Sequence, residues 1–453
     1  MIDYDLVVIG GGAGGLSAAR TARREGVRVA LVNDGPLGGD CTFTGCVPSK
    51  TLIESAAAGH SFDSALATVA AVVERIAGTE NADVLRGEGI DVIEGRARFT
   101  SPKRIDVDGT PVGSPKFVIA TGSRPALPPI PGLAEIGALT NETIFEPRSR
   151  PGSLGVLGAG PIGCELAQAF ARLGVAVTVF EMADRVLLRE EPEASEIIAT
   201  ALRSDAVDLR LGRPVVGVRP AATGSTVEIE GGTTVDVDEV LVAVGRVPVT
   251  ESLALEIPGV ELTARGHIET DHRLATSADH IWAVGDVTEN LPFTHAADEM
   301  GRLAAWNAVK RFSRASFNPA WIPWATFTQP EVARVGVLEA EAPAGARVAF
   351  LPMSENDRAI TAAATDGFVK LIVGPRRMLR NLGGGQVIGA TIVGPRAGEM
   401  IHEPTLAMRT KMFAGRLAQT VHAYPSWSIG IQKAAGQLFF EIEGREARPV
   451  RRP

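Results

Sequence analysis

Cysteine is scarce in this sequence, since only three of the 453 residues are Cys. Small domains that depend on disulfides carry many more, so a disulfide scaffold is excluded. In a reducing compartment, a disulfide formed by so few cysteines is expected to be transient and functional.

The sequence also lacks the features of exported, membrane-bound or nucleic-acid-binding proteins. The N-terminal stretch MIDYDLVVIG contains two aspartates where a secretory signal would carry basic residues. No apolar run of about 18 residues is present, and the formal net charge of -8 gives no reason to expect a nucleic-acid partner. We therefore predict a soluble, cytoplasmic protein without a membrane or nucleic-acid partner.

The chain is long enough for several domains, and two of its segments are near copies of each other. Residues 5–33 and 154–181 each predict an apolar strand, a Gly-rich turn, an Ala-rich helix and a second strand. From about Trp321, β-branched strands alternate with helical stretches without another glycine fingerprint. The prediction is an α/β protein with two Rossmann-like dinucleotide-binding domains and a C-terminal α+β domain.

Both copies carry the pattern G-x-G-x-x-G directly after a strand and at the start of a helix. The first glycine makes a tight turn, the second lets the backbone approach a pyrophosphate, and the third allows close packing of helix on strand. The helix N-terminus adds unsatisfied N–H groups that favour phosphate. The glycines are Gly10, Gly12 and Gly15 in the first copy and Gly158, Gly160 and Gly163 in the second.

The second strand of each copy ends at a different polar residue. Glu181 ends the second copy, where a carboxylate can accept hydrogen bonds from both ribose hydroxyls and repels a 2′-phosphate. Arg185 lies four residues on and could reorganise this site, yet NADH is favoured over NADPH. In the first copy the strand ends at Asn33, followed by Asp34, so the ribose acceptor is either neutral or displaced by one residue.

Two of the three cysteines lie close together in the stretch GGDCTFTGCVPSK, residues 38–50. Cys41 and Cys46 could be two small buried hydrophobic residues or half of a zinc site. Zinc needs further ligands, and neither a C-x-x-C pair nor a nearby histidine supplies them, so no metal site is predicted. The pair instead suggests a dithiol beside a redox cofactor.

This stretch resembles the active site of the class I pyridine nucleotide-disulfide oxidoreductases, whose members include dihydrolipoamide dehydrogenase, glutathione reductase and mercuric reductase. ATGSRP, VAVGRVP, AVGDVTE and FTQPEVARVG resemble further signatures of the family, in the family's order. The resemblance implies FAD on the first fingerprint, NAD(P)H on the second, and a homodimer built by the third domain. It also implies an FAD-binding domain of residues 1–145 and 271–319, an NAD(P)-binding domain of residues 146–270, and an interface domain of residues 320–453.

The resemblance also implies roles for individual residues. Cys46 matches the thiol next to the flavin, and Cys41 the outer thiol that attacks the substrate. Lys50 matches the lysine beside the flavin, with Glu165 as its ion-pair partner. Asp286 is expected to bind the ribityl chain, and a helix beginning near His295 is expected to point its N-terminus at the flavin ring. The implied FAD contacts are Gly10, Gly12, Gly15, Asn33, Lys50, Thr121, Gly122, Ser123, Asp286 and His295, and the implied NAD(P) contacts are Gly158, Gly160, Gly163, Glu181 and Gly245.

The sequence departs from the family pattern near its C-terminus. Members that reduce small disulfides carry an H-x-H-P stretch followed by a glutamate, and this pair moves the proton during thiol exchange. Here the stretch is VHAYPSWSIGIQKAA, with Tyr424 at the second histidine and Ile429 at the glutamate. Tyrosine is a poor base at neutral pH. His422 is a candidate substitute, but at two residues' distance we expect it to point elsewhere.

A tyrosine at this point is seen in mercuric reductases, whose extra C-terminal cysteine pair this chain lacks, since Cys164 is its last cysteine. We give Cys164, which follows Gly163, no redox role. The predicted activity is electron transfer from NAD(P)H through FAD and the Cys41–Cys46 disulfide to a diffusible acceptor, either a metal ion such as Hg(II) or a quinone. The alternatives are a dihydrolipoamide dehydrogenase that tolerates Tyr424 and a flavin-bound redox sensor or scaffold.

Overall fold

The structure, a computed structural model, describes residues 2–313, 315–376 and 381–450. The chain divides into two compact units. Unit 1 contains residues 1–129, 137–150 and 241–319, and unit 2 contains residues 130–136, 151–240 and 320–453.

Unit 1 is built on a parallel sheet of five strands, which follow the apolar runs of the sequence. In spatial order these strands are Ile281–Ala283, Phe117–Ile119, Leu6–Ile9, Val29–Asn33 and Asp91–Glu94. Three of them are buried along their whole length, which explains why they read as continuous apolar runs. The five helices of the N-terminal segment of this unit are Ala13–Arg24, Gly39–Phe43, Cys46–Ala57, Phe62–Ala77 and Ala82–Gly87.

A further helix, Thr294–Val309, packs closely on helix Ala13–Arg24. Gly301 permits the close approach, because a Cβ at this position would lie 2.1 Å from the carbonyl oxygen of Gly14. Two smaller sheets complete unit 1. Their strands are Ile2–Asp3, Thr110–Gly113, Arg104–Val107 and Ala97–Ser101 in one, and Ser123–Pro125 and Arg246–Pro248 in the other.

Unit 2 contains the second copy of the strand–helix–strand pattern. Its first sheet has the strand order Asp208–Leu211, Ala176–Glu181, Ser153–Leu157 and Glu239–Val242. A three-stranded antiparallel sheet adds Val215–Pro220, Ser225–Ile229 and Thr233–Val237. The helices are Pro161–Arg172 and Pro192–Ser204.

The C-terminal part of unit 2 is an antiparallel sheet covered by short helices. The strand order is Trp324–Thr326, Glu331–Gly336, Gln386–Gly394, Phe368–Gly374, Arg347–Pro352 and Arg448–Pro449. The helices are Asp357–Thr361, Ala397–Met400, His402–Arg409, Ala414–Gln419 and Ile429–Gly436. Buried apolar side chains of the sheet and helices form one core. Two parallel α/β sheets and an antiparallel α+β part agree with the predicted fold class. Among the described residues, no helix combines the length and apolar character needed to cross a bilayer.

Candidate active site

The first glycine loop joins strand Leu6–Ile9 to helix Ala13–Arg24. Gly10 has φ +106°, a conformation that favours glycine. A Cβ at Gly15 would lie 1.8 Å from the carbonyl oxygen of Gly10, so the helix can sit this close to the turn only without a side chain. A Cβ at Gly12, by contrast, would meet no atom within 4 Å. The Gly12 face is therefore open to a group that approaches the backbone.

The second glycine loop repeats this geometry in unit 2. Gly158 has φ +102°, and a Cβ at Gly163 would lie 2.0 Å from the carbonyl oxygen of Gly158. A Cβ at Gly160 would again meet no atom within 4 Å. Both Gly12 and Gly160 are N-cap residues, and neither helix start receives a side-chain cap. Each loop thus presents open backbone N–H groups at a helix N-terminus, which suits a pyrophosphate.

The residues that end the two second strands hold the glycine loops. Asn33 accepts a hydrogen bond from the backbone N–H of Gly11 at 2.7 Å, and its Nδ2 donates to the carbonyl oxygen of Gly35 at 2.8 Å. Glu181 accepts from the N–H of Ala159 at 2.7 Å and, through its other oxygen, from the N–H of Ala183 at 2.9 Å. The Glu181 carboxylate has lone pairs left for ribose hydroxyls, whereas the Asn33 amide already uses its Nδ2 group on the adjacent loop.

Arg185 is committed to backbone carbonyl groups. Its Nη2 donates to the Leu188 oxygen at 2.8 Å and its Nη1 to the Glu190 oxygen at 3.2 Å. The predicted possibility that Arg185 reorganises the nucleotide site would require it to give up these bonds.

The two predicted redox cysteines lie together in unit 1. Cys41 lies within the short helix Gly39–Phe43, and Cys46 is the first residue of helix Cys46–Ala57. The two thiols are hydrogen-bonded to each other. Thr294, the first residue of helix Thr294–Val309, lies 3.4 Å from the Cys46 sulfur through its hydroxyl. Cys46 therefore lies at one helix N-terminus and contacts the first residue of another, an environment that favours thiolate over thiol.

The surroundings of the Cys41 thiol favour its protonated form. Its hydrogen bond to Cys46 raises the pKa of the Cys41 thiol strongly, and burial raises it further. A thiol that donates to a neighbouring sulfur loses that bond when it ionises, so the hydrogen bond to Cys46 favours the protonated form of Cys41. Attack by Cys41 on a substrate would need a base to remove this proton.

Lys50 and Glu165 lie in different units. Lys50 follows Cys46 by one helical turn in unit 1, so both are on one face of helix Cys46–Ala57. Glu165 is buried in helix Pro161–Arg172 of unit 2, where its carboxylate accepts a hydrogen bond from the backbone N–H of Phe327 at 2.8 Å. Their ion pair stays a prediction.

Ser123 and Asp286, two predicted FAD contacts, are hydrogen-bonded to each other. The Ser123 hydroxyl donates to Asp286 at 2.7 Å, and Arg246 donates to the Ser123 hydroxyl at 2.7 Å. Thr121 is held by a hydrogen bond from its hydroxyl to the Val249 carbonyl oxygen at 2.7 Å, and Gly122 has φ +69°. The strands at Ser123–Pro125 and Arg246–Pro248 therefore bring these residues to one edge of unit 1.

The remaining predicted contacts lie at turns and helix ends. Gly245 has φ +146° directly before strand Arg246–Pro248. His295 is the second residue of helix Thr294–Val309, and its ring stacks on Phe293 with centroids 5.7 Å apart. The helix begins one residue before the predicted position, and it too has no side-chain cap.

Three residues at this site were not found from the sequence. Thr294 contacts Cys46, Arg246 contacts Ser123, and Asn141 contacts Arg246 at 3.1 Å. Arg246 stands beside Gly245 within the quoted stretch VAVGRVP, and this adjacency was the available signal for it. Asn141 and Thr294 belong to no motif.

The C-terminal stretch of unit 2 places Tyr424 on the surface, with 71% of its area exposed. A hydrogen bond to Asp357 raises the pKa of the Tyr424 hydroxyl, because the carboxylate favours the protonated phenol. His422 is engaged elsewhere, since its Nε2 lies 3.1 Å from Glu403 and its Nδ1 lies 2.9 Å from the Thr420 oxygen. The raised pKa of Tyr424 leaves less ionised phenol at neutral pH, so Tyr424 is even less available as a base than an ordinary tyrosine.

Cys164 is buried in helix Pro161–Arg172, and its sulfur donates to the Ala159 carbonyl oxygen at 3.2 Å. Burial raises the pKa of this thiol, which makes it unreactive. Among the described residues, no group of three or more His, Cys, Asp or Glu side chains is placed to hold a metal ion.

The comparison with known proteins agrees with this arrangement. The pattern of the family described as pyridine nucleotide-disulphide oxidoreductase matches residues 4–301, and that of the family's dimerisation domain matches residues 322–435. The chain belongs to the class I pyridine nucleotide-disulfide oxidoreductase family, and the predicted family is confirmed. It is an oxidoreductase of a family that depends on FAD and uses NAD(P)H, and the dimerisation domain supports a homodimer.

Three relatives illustrate the similarity. A mercuric reductase of Staphylococcus aureus is 33% identical over 96% of this chain and 82% of its own length. A dihydrolipoyl dehydrogenase of Thermus scotoductus is 34% identical over 97% of this chain and 98% of its own length. A Cu(II) complex of RclA, an HOCl-induced flavoprotein disulfide reductase of Escherichia coli, is 31% identical, with a TM-score of 0.88 over 96% of this chain and 99% of that one.

Proposed function

We propose that this enzyme passes electrons from NADH through FAD and the Cys41–Cys46 pair to a diffusible acceptor that needs no thiol exchange, such as a soft metal ion or a quinone. The observation that carries the proposal is Tyr424, which stands where disulfide-reducing members carry a histidine and whose hydroxyl bonds to Asp357. RclA, to which this chain is similar, forms a Cu(II) complex, and this supports a metal ion as one such acceptor.

The cofactor fits the residues of unit 1. The loop of Gly10, Gly12 and Gly15 would hold the pyrophosphate of FAD at the open backbone beside Gly12 and the helix N-terminus, and Asp286 would accept hydrogen bonds from its sugar chain. The N-termini of helices Cys46–Ala57 and Thr294–Val309 would favour negative charge beside Cys46. Bound FAD supplies the two-electron step between nicotinamide and the thiol pair.

Proton handling separates the two classes of acceptor. When Cys41 and Cys46 form a disulfide, two electrons and two protons leave the pair. A metal ion such as Hg(II) takes both electrons, and the protons pass to solvent. A small disulfide instead needs Cys41 to lose its proton for attack and needs a proton on the departing sulfur. The hydrogen bond to Cys46 and burial both raise the pKa of the Cys41 thiol, and Tyr424 is unsuited to remove its proton.

NADH is the proposed nucleotide. Glu181 presents a carboxylate at the end of strand Ala176–Glu181, which suits two ribose hydroxyls and repels a 2′-phosphate. The guanidinium of Arg185, which would be needed to offset that repulsion, donates to the carbonyl oxygens of Leu188 and Glu190.

The cytoplasmic location stays a prediction.

The test restores the missing base. Tyr424→His with Ile429→Glu should raise turnover with lipoamide at least roughly tenfold, the low end of a positioned base. Because Asp357 already faces position 424, Tyr424→His alone should give part of this gain. Tyr424→Phe is the control that removes the hydroxyl without adding a base. Steady-state NADH consumption with lipoamide, glutathione disulfide, Hg(II), Cu(II) and a quinone is the measurement.

The expected order for the unmodified enzyme is fast turnover with a metal ion or quinone and slow turnover with the two disulfides. Lipoamide turnover as fast as that of a committed dihydrolipoamide dehydrogenase would contradict the proposal and make Tyr424 a tolerated variation.

A further inference from the structure

One arginine is linked to both ends of the helix that carries Cys41, directly at one end and through Asn141 at the other. Arg246 pairs with Asp40, the residue before Cys41, through its Nη2. Its Nη1 donates to the Oδ1 of Asn141 at 3.1 Å, and the Nδ2 of Asn141 donates to the carbonyl oxygen of Thr44 at 3.2 Å. Asp40 lies in the first turn of helix Gly39–Phe43, and Thr44 is its C-cap.

The other side of the same guanidinium faces residues assigned above to the flavin. Its Nε donates to the Ser123 hydroxyl at 2.7 Å, its Nη2 donates to the Ser123 carbonyl oxygen at 2.7 Å, and its Nε lies 3.7 Å from Asp286. Arg246 is only 20% exposed, and Asn141 is buried. A planar guanidinium with its donors spread over four residues fixes geometry in a way that a lysine cannot.

The short helix has little else in its own structure to fix it. With five residues it is well below the length at which an isolated helix is stable, and its N-cap residue, Gly38, provides no side-chain hydrogen bond. The position of Cys41 relative to Cys46 therefore depends on contacts from outside the helix. Asp40 and Thr44 bracket Cys41, so fixing both of them fixes the Cys41 backbone.

We propose that Arg246, acting through Asp40 and Asn141, is a positioning residue that holds the Cys41 helix so that its thiol stays within bonding reach of Cys46. The inference rests on the proposed use of this thiol pair in electron transfer. Arg246 touches neither sulfur, and its effect is on the effective concentration of one thiol at the other.

The experiment measures that effective concentration directly. The FAD-loaded protein is equilibrated without nicotinamide in mixtures of reduced and oxidised dithiothreitol, the free thiols are trapped by alkylation, and the Cys41–Cys46 disulfide is quantified by peptide mass spectrometry. In this exchange the S–S bond of oxidised dithiothreitol breaks and the protein S–S bond forms, and two electrons and two protons pass from the cysteines to dithiothreitol.

The variants separate geometry from charge and from FAD binding. Asn141→Asp keeps an oxygen for Arg246 but loses the donor to the Thr44 carbonyl, without touching Ser123 or Asp286. Arg246→Lys keeps the positive charge but not the planar fork, and Arg246→Met removes both. Arg124→Met is the matched control, because Arg124 lies in the paired strand Ser123–Pro125 and its guanidinium binds Glu251 at 2.9 Å.

We expect the equilibrium constant for disulfide formation to fall at least roughly tenfold in Arg246→Met and about threefold to tenfold in Asn141→Asp and Arg246→Lys, because a looser helix lowers the effective concentration. Arg124→Met should match the unmodified protein. Asn141→Asp should also stay folded and keep its FAD content, because Arg246 faces the new carboxylate, so an unfolded Arg246→Met would leave the inference testable.

The outcomes distinguish this inference from the proposed function. If all variants keep the equilibrium constant of the control, Arg246 is not a positioning residue, whatever the acceptor. If the equilibrium constants shift as expected but the enzyme reduces lipoamide rapidly, the inference stands and the proposed function fails. If the unmodified protein forms no Cys41–Cys46 disulfide, both are wrong.

Discussion

The two glycine loops share one backbone conformation, but the second strand of each strand–helix–strand unit ends in a different residue. In both loops the third glycine lies against the carbonyl oxygen of the first, and the second glycine faces open space. In both, the strand-end side chain accepts a 2.7 Å hydrogen bond from the loop, Asn33 from Gly11 and Glu181 from Ala159. The Asn33 amide and the Glu181 carboxylate thus hold their loops in the same way. They differ in what else each can bind.

The residue at the strand end has two functions, holding the loop and binding ribose, and the sequence motif does not distinguish them. A polar residue at this position is read as a ribose ligand. Here its first role is to hold the loop, and only Glu181 combines that role with a net charge and unused lone pairs. At the proposed FAD site, specificity must therefore come from other contacts, such as those proposed for Asp286 and the helix beginning at Thr294.

The largest effect is expected when the third glycine of either loop is replaced. Gly15→Val and Gly163→Val would place side-chain atoms within about 2 Å of a backbone carbonyl oxygen, and we expect about 3 kcal/mol or more of destabilisation, the upper end for overpacking. Gly15→Val should lose FAD, whereas Gly163→Val should keep FAD and lose NADH binding. Thermal unfolding measures the destabilisation, FAD content per chain measures flavin binding, and titration calorimetry measures NADH binding.

The two glycine variants would challenge the comparison if they behaved alike. Loss of FAD from Gly163→Val, with FAD retained by Gly15→Val, would mean that the second loop, and not the first, holds the flavin.

A smaller effect is expected at the second glycine, where space is open. Gly12 and Gly160 have φ of −79° and −73°, so alanine fits the backbone and should stabilise the apoprotein slightly, by about 0.4–1 kcal/mol. The added methyl group would occupy the phosphate face. We expect Gly12→Ala to weaken FAD and Gly160→Ala to weaken NADH at least about tenfold, a cost of about 1.4 kcal/mol.

Titration calorimetry or fluorescence of each nucleotide, with the thermal midpoint as the control for folding, tests this pair. Unchanged affinity in both variants would show that the open faces of the loops are not phosphate sites.

Sequence patterns predicted the parts of this site that are local in the chain. Strand, turn and helix of each loop follow from apolar runs and glycine spacing, because the third glycine must lie against the first within a few residues. The Cys41 and Cys46 thiols are also close for local reasons, since only Thr44 and Gly45 separate helix Gly39–Phe43 from helix Cys46–Ala57. Their environment is not local: Thr294 reaches Cys46 across 248 residues.

Arg246 shows why the rest could not be predicted. Its partners Asp40, Ser123, Asn141 and Asp286 come from four separate segments of the chain. No periodicity or spacing relates these segments, and only the folded unit brings them together. The engagement of Asn33 with its own loop was missed for a different reason, because the motif specifies a polar residue but not which of its hydrogen bonds are already made.

Replacing the charge at the second strand end should change nucleotide preference. Glu181→Gln keeps one oxygen to accept from a backbone N–H, loses the second acceptor, and removes the charge that repels a 2′-phosphate. We expect the ratio of kcat/KM for NADH over NADPH to fall roughly tenfold, about 1.4 kcal/mol. Asn33→Asp, the corresponding change in the first loop, should leave this ratio unchanged. A preference of the unmodified enzyme for NADPH would contradict the assignment of Glu181.

The smallest effect on nucleotide preference is expected at Arg185, the cation nearest in sequence to Glu181. Its guanidinium donates to the carbonyl oxygens of Leu188 and Glu190 and lies 3.4 Å from the hydroxyl of Ser195. These bonds give it a structural role, so Arg185→Met should lower stability by about 1–2 kcal/mol, as for the loss of one or two hydrogen bonds to a charged group. The NADH-to-NADPH ratio in kcat/KM should change less than about twofold, since a group already bound to carbonyl oxygens contributes little to a 2′-phosphate site.

Arg213→Met is the matched control, because the Arg213 side chain is exposed. It also lies near Glu181 in the fold, since the N–H of the preceding residue, Gly212, donates to the Ala183 carbonyl oxygen. If Arg185→Met selectively reduces turnover with NADPH, the arginine leaves its carbonyl partners to bind the 2′-phosphate, and the nucleotide preference is set by that exchange and not by Glu181 alone.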